Sequence, residues 1–258
     1  MSLLAEERKR VIIELIDQNG KVRVNDLAQS FAVSTETIRR YLEELESERK
    51  LKKVYGGAVK LDGEAEEPSM FEREILHIEE KRRIADRAVS FISDGDVIFI
   101  DEGSTTLQMI HNLCDLNNIT IITNSFPAAS KLLCYANKQQ FNGEVIFIGG
   151  IVRCRHYRTS GSLAEQMAKE FFIDKAFISI DGLLPDDGLT CYDLEKSSMA
   201  KILIKNSTEA FVLTDHSKLG VKANFKMASL STINKVLSDV PVPEDWELSS
   251  LKCEWITC

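Results

Sequence analysis

The loop FIDEGSTTLQ, residues 99–108, carries residue types and a spacing suited to holding an anion. An apolar run precedes it and an amphipathic run follows, so it joins a strand to a helix. Gly103 permits close backbone approach, and Ser104, Thr105 and Thr106 offer three hydroxyls. The first amides of the following helix point outward, where a phosphate would accept from them. The same composition also suits an ordinary strand-to-helix turn with hydroxyl capping. Glycine–lysine followed by Ser or Thr does not occur, so this is no Walker loop and nucleotide hydrolysis is not implied.

Other polar groups follow apolar runs further along. They are Thr123–Asn124–Ser125, Gly149–Gly150, Asp181–Gly182 and Asp215–His216–Ser217–Lys218. Each alone is unremarkable, and Asp181 is as much a turn former as a ligand group. Together they gather donors and carboxylates at one side of a parallel sheet, the setting of a pocket for a polyol phosphate. Lys218 is the best single cation for the phosphate, weighed against a solvated surface lysine. Arg153, Arg155, His156 and Arg158 form a second basic run; it lines the pocket, meets a second subunit or sits in an exposed loop. The acidic stretches 64–67 and 72–80 read as solvated. His77, His111, His156 and His216 have no metal-ligand spacing, and no metal or other cofactor is expected.

Different chemistry is written near the start. A helix that reads DNA needs short polar and basic side chains on its first turns. The segment STETIRRYLEELE supplies them: Ser34 caps, Thr35, Thr37, Arg39 and Arg40 lie off the Ile38/Leu42/Leu45 face, and Glu43, Glu44 and Glu46 come later. Lys52, Lys53 and the Gly56–Gly57 turn suit a wing beside phosphates. A solvated amphipathic helical unit would show the same periods.

Those residues need elements to position them. Before the reading helix, Val11, Ile12, Leu15 and Ile16 recur on one face, Asn19–Gly20 stops that helix, and KVRV alternates. Asn25 is placed to cap a second helix with Leu27, Ala28 and Phe31, and 51–59 reads as two short strands. The order is that of a winged helix-turn-helix. LDGEAEEPSM, residues 61–70, is polar and aperiodic, a linker. Beyond it, helices over 79–92, 106–114, 126–133, 164–171 and 194–205 alternate with strands over 97–101, 120–123, 144–148, 176–181 and 210–214. Such alternation means an α/β domain with a largely parallel sheet. The expected boundaries are 1–60, 61–74 and 75–258.

The whole chain of 258 residues suits one large or two ordinary domains. Its −8 charge would argue against nucleic acid, but it is unevenly spread. Residues 1–61 hold 12 basic and 10 acidic groups; residues 62–258 hold 20 and 30. Six scattered cysteines without a C-x-x-C pair read as reduced thiols. With no signal peptide and no membrane-length apolar run, the expectation is a cytoplasmic protein.

Residues 7–59 resemble the N-terminal domain of the DeoR family of bacterial transcriptional regulators. The matching pieces are Gly20 with VRVNDLA, the VS-x-x-TIRR run at 33–40 and the YGGA wing at 55–58. Family members usually carry Asp after the arginine pair, where Tyr41 stands here. KRRIADRAVSFISDGDVIFIDEGSTT, TNSFPAASKL, VIFIGG, FISIDGL and TDHSKLG resemble the family's sensor domain, which is related to ribose 5-phosphate isomerase and CoA-transferase-like folds. The resemblance implies a carbohydrate-gene repressor that binds operator DNA as at least a dimer, with a phosphorylated sugar as effector. Carried over by position, it puts phosphate contacts on Ser104, Thr105, Thr106 and Lys218, and sugar contacts on Asp101, Asn124, Asp181 and Glu195. The alternative is an isomerase-like enzyme fused to a DNA-binding module. The isomerase motif has a second acid where this chain has Leu184, so binding without turnover is expected.

Overall fold

The computed structural model describes residues 5–19, 21–48, 50–54, 56–60, 70–246 and 253–258. The chain divides into two compact units, Met1–Glu66 and Glu67–Cys258.

In the first unit α1 (Ala5–Asn19) buries Ile12 and Ile16 one turn apart. β1 (Lys21–Arg23) runs directly into α2 (Val24–Phe31). The helix therefore starts before Asn25, the expected cap, and Arg23 holds the capping position without a side-chain bond. The sheet is the reason: Arg23 pairs with Gly57, and the Val24 amide donates to Gly56 O at 2.9 Å. Ala32 closes α2 in the left-handed region at φ 51, sending the chain into α3 (Thr35–Ser47). Ser34 caps α3 as expected, its hydroxyl accepting from the Thr37 amide at 3.2 Å. Ile38, Leu42 and Leu45 face inward, with Tyr41 beside them. β2 (Leu51–Val54) and β3 (Gly57–Lys60) make the hairpin, and β1 joins β3 to complete a three-stranded antiparallel sheet. A Cβ at Gly57 would stand 2.0 Å from Val22 O, so this close pairing requires glycine. Tyr55 and Gly20 lie outside the described residues.

The second unit opens with α4 (Met70–Ile75) and α5 (Ile78–Val89). β4 (Val97–Ile100) follows, then a 3-10 helix over Thr106–Asp115, β5 (Thr120–Thr123), α6 (Phe126–Asn137) and β6 (Glu144–Phe147). A hairpin of β7 (Ile151–Arg153) and β8 (Arg158–Ser160) leads to α7 (Ser162–Ala168) and β9 (Ile173–Ser179). β10 (Gly182–Leu184), β11 (Gly188–Cys191), α8 (Leu194–Lys205) and β12 (Ser207–Thr214) come next. β13 (Phe225–Ala228), β14 (Lys235–Ser238) and β15 (Glu254–Thr257) complete the described elements.

Among the described residues, seven strands form one parallel sheet in the order β15-β14-β12-β9-β4-β5-β6. Alternate side chains enter two different cores, as a strand's period of two requires. Phe99, Ile122, Ile178 and Val212 pack with Ala164, Met199 and Leu203 of α7 and α8. Ile98, Ile121, Phe177 and Phe211 pack with Ile84 of α5, Leu107 of the 3-10 helix and Leu132 of α6. β10, β11 and β13 form a separate antiparallel sheet.

The α/β alternation matches the sequence reading, with three differences. Residues 70–74, assigned to the linker, are helical and belong to the second unit; 61–69 lie outside the described residues. The helix after the GSTT loop is 3-10, with Gln108 N bonded to Thr105 O at 3.1 Å. The hairpin β7–β8, the small sheet, β14 and β15 were not anticipated.

Candidate functional site

A cavity of about 250 Å³ lies past the carboxyl ends of β4, β9 and β12. β4 and β9 are neighbours from which the sheet is extended in opposite directions, so their following loops part and leave a crevice. Ser104 and Thr105 enter from the β4 loop, Ser179 and Asp181 from β9, and Thr214, Asp215, Ser217 and Lys218 from β12. Arg73, Leu76, His77 and Lys81 close the side formed by α4 and α5.

Three cations thus meet two carboxylates. Arg73 is 7% exposed and Lys81 4%. Burial pushes the Lys81 ammonium down to about 8, partly offset by Asp215. Its Nζ donates to Arg73 O and Leu76 O, each at 2.6 Å. Burial works to raise the Asp215 carboxyl, but the Ser217 hydroxyl and Lys218 outweigh it and hold the group below the usual carboxylate range. Asp181 accepts from Lys196 Nζ at 3.2 Å on both oxygens and from the Tyr192 amide at 3.2 Å.

Of the nine residues expected at the effector, Ser104, Thr105, Asp181 and Lys218 line this cavity. The other five do not, each for a visible reason. Asp101 is a buttress: its carboxylate accepts from Gly103 N at 3.0 Å and from Ser179 N and Oγ and Thr106 Oγ1 at 2.6 Å each. Thr106 is consequently turned inward and fully buried. Gly103 is required by Ser179, since a Cβ there would lie 2.2 Å from Ser179 Oγ. Asn124 donates to Thr159 O at 3.0 Å, and its buried carboxamide oxygen has no hydrogen-bond partner. Glu195 is engaged by Arg153 Nε at 2.8 Å and Ser160 Oγ at 2.5 Å; the Arg153 pairing holds its carboxyl low.

Of the basic run, Arg153 and Arg158 are likewise committed inside the unit, while Arg155 is exposed. Arg158, 1% exposed, pairs with Glu102 and, at 2.8 Å, with Asp193. Its guanidinium locks the β8 strand to the β4 loop and to the start of α8. Sequence distance concealed one further cluster: the His77 and His216 rings meet edge-on, centroids 4.7 Å apart, and His216 Nδ1 lies 2.6 Å from Asp239. Among the described residues, no group of three or more His, Cys, Asp or Glu could hold a metal ion.

Arg73 and Lys81 were missed. A signal for Lys81 existed: Ile84, Ala85 and Ala88 follow it at i+3, i+4 and i+7, which puts the lysine on the apolar stripe of α5. Arg73 gave no such signal, because the linker composition around 61–70 masked a six-residue helix.

In the first unit, α3 presents a polar face. Ser34 and Thr37 share a hydroxyl contact of 2.9 Å as part of the cap. Thr35 is half-buried, while Arg39 and Arg40 are exposed, Arg39 lying 3.3 Å from Glu36 and Arg40 3.9 Å from Glu44. The Arg40 guanidinium sits over the ring of Tyr41, 5.8 Å from its centroid, so the aromatic residue orients the arginine that an aspartate would otherwise adjoin. On β2, Lys53 Nζ lies 2.7 Å from Glu43 of α3, tying wing to helix, and Lys52 is half-buried.

Comparison with known proteins follows the same division. Residues 8–64 match the model of the DeoR-like helix-turn-helix domain, and residues 76–240 that of the DeoR C-terminal sensor domain. The chain is 34% identical to the HTH-type transcriptional regulator YulB of Bacillus subtilis over 92% of this chain and 90% of the relative. It is 32% identical to the glycerol-3-phosphate regulon repressor of Escherichia coli, over 92% of each. A ribose 5-phosphate isomerase A from Methanocaldococcus jannaschii aligns at 24% identity over 54% of this chain and 53% of that one, with a TM-score of 0.38, too slight a likeness to carry chemistry.

Proposed function

The chain belongs to the DeoR family of helix-turn-helix transcriptional regulators, and from that premise we propose that a phosphorylated sugar or polyol in the cavity beyond β4, β9 and β12 controls its grip on operator DNA. In this reading α3 enters the major groove, with Thr35, Thr37, Arg39 and Arg40 at base edges and phosphates, and Lys52 and Lys53 of the wing lie along the backbone. The regulated genes serve carbohydrate use, repression is the default state, and the protein works in the cytoplasm. Two copies bind the halves of a palindrome.

The observation that carries the effector reading is the meeting of Arg73, Lys81 and Lys218 with the Ser104 and Thr105 hydroxyls in one cavity. A unit with seven more acidic than basic residues repels a free dianion, so only such a local gathering of donors admits one. The carboxylates of Asp181 and Asp215 face the same space and suit sugar hydroxyls.

Binding without turnover fits the same geometry. An aldose–ketose isomerase needs a carboxylate free to take a proton. Asp181 is instead neutralised by Lys196, and Leu184 is an apolar residue of β10. Incubation with ribose 5-phosphate should leave the sugar unchanged; conversion abolished by Asp181→Asn would restore the enzyme.

The direct test is operator affinity, by fluorescence anisotropy, with and without each of a panel of sugar phosphates. Lys218→Ala and Ser104→Asp should keep operator binding and lose the response, the first by removing a cation and the second by setting an anion in the phosphate's place. A wild-type response in both variants would put the phosphate elsewhere.

A further inference from the structure

α4 has six residues, too few to hold a helix by its own hydrogen bonds. Its terminal carbonyls have no partner within the helix and need an external donor. Lys81 provides it, reaching Arg73 O and Leu76 O at 2.6 Å each. An ammonium has three N–H groups, and these two carbonyls use two of them. The same side chain lines the cavity. We propose that Lys81 makes effector binding and the anchoring of α4 one event: two donors of its ammonium hold the end of α4, and the third serves the ligand's phosphate. This rests on the reading of the cavity as a phosphate-ester site.

The surroundings of the amine sharpen the idea. Asp215 and Glu80 favour its charge, while burial, Lys218 and Arg73 oppose it, leaving the pKa at about 8. His77, with His216 against it, and Asp181, already held by Lys196, are the other titratable groups of the cavity. Above that pH the neutral amine still has two N–H groups for the two carbonyls but none for a ligand. An arriving dianion restores the third proton. The effector therefore brings a proton with it and strengthens both carbonyl bonds, because charged donors bind more tightly than neutral ones. α4 is the first described element of the second unit in chain order.

The test is isothermal titration calorimetry on the full chain at pH 8.5, with glycerol 3-phosphate and then inorganic phosphate as probes, in buffers of differing ionisation enthalpy. A phosphate's second pKa is about 6, so the probe is already ionised and does not contribute. Wild type should take up a proton on binding, and its affinity should fall as the pH rises, by at most about tenfold per unit, the limit for one proton. Hydrogen exchange in α4 should slow when the probe is added. Lys81→Arg keeps a permanent charge and should bind without proton uptake. Lys81→Met should bind at least about tenfold more weakly, with α4 exchanging fast whether or not the probe is present. Persistent uptake in Lys81→Arg, or α4 exchange alike in wild type and Lys81→Met, overturns the proposal. Probe binding with neither uptake nor an α4 response overturns it alone and leaves the cavity reading standing. Failure of both probes and of every sugar phosphate to bind removes the cavity reading and this proposal together.

Discussion

Arg39, Arg40 and Lys53 of the winged unit keep 58%, 65% and 32% of their side chains in solvent, each beside a glutamate of the same unit. Arg73 and Lys81 of the α/β unit are almost wholly buried, and Lys81 leans on peptide carbonyls. Exposed pairs contribute about 0–1 kcal/mol, so on the proposed reading a DNA phosphate would replace the glutamate at little cost. Such exchanges release counterions and are governed by salt. A buried cation has already lost its water. It responds to a ligand that supplies both charge and acceptors, and it registers pH. On the proposed reading, one chain combines a salt-sensitive reader with a proton-sensitive receptor, built from the same two residue types.

The largest effect should come from the most buried cation. Arg158→Met takes a buried cation away from Glu102 and Asp193, which should cost the α/β unit about 3–5 kcal/mol. Trp246 and Trp255 both lie in that unit, so urea denaturation followed by tryptophan fluorescence isolates it. An unchanged midpoint would mean that burial makes no difference to the worth of a cation here.

Operator affinity comes next. Arg39→Ala and Arg40→Ala should each cost about 1–3 kcal/mol, with relaxed sequence preference where a base is read. A folded double variant that binds operator normally would remove α3 as the reading helix. Smaller still is the effect of releasing a cation from its glutamate. Glu43→Gln should free Lys53 and tighten DNA binding by about 0.2–1 kcal/mol, fading as salt is raised. Loss of affinity instead would show that the Lys53–Glu43 bond is needed to place the wing.

The smallest effect should be seen in pH. Asp239 raises the His216 pKa above its ordinary 6.5. A raised pKa adds stability that is full below the unfolded value and disappears as pH climbs through the folded one. The α/β unit should therefore lose a little stability from about pH 6.5 upward, and Asp239→Asn should flatten that fall. All four histidines lie beyond residue 76, so thermal melting of the winged unit should show no such slope.

Local chemistry made much of this legible in the sequence. Ser34 before a helical period foretold a cap, and Ile38, Leu42 and Leu45 foretold the buried face. Strand 120–123 and helix 194–205 were placed to the residue, because apolar runs and caps coincide there. The cavity was legible only from the strand-end side. Ser104, Thr105, Asp181 and Lys218 follow strands and declare themselves. Lys81 and Lys196 interrupt apolar stripes and pass for surface residues until the fold buries them. Asp101 and Thr106 had the right chemistry at the wrong depth: only the approach of β9 shows that Ser179 takes the space assigned to a ligand. Strands of three or four residues, such as β7, β8 and β15, are too short for a period to emerge.

The strand order also carries an implication for how the chain is made. β4 is the first strand of the large sheet to be synthesised, and it lies in the interior. β5 adds to it, then β6 to β5; β9 adds to the other side of β4, and β12, β14 and β15 follow outward in turn. Each new strand meets a partner that has already left the ribosome, and none has to be inserted between two that are paired. Synthesis from the N-terminus can therefore assemble the sheet by accretion, without unmaking earlier contacts. At every stage both rims of the growing sheet are unpaired and able to capture another nascent copy. The order that makes assembly simple fixes β6 early as one rim and leaves the other rim to move outward until β15 is laid down.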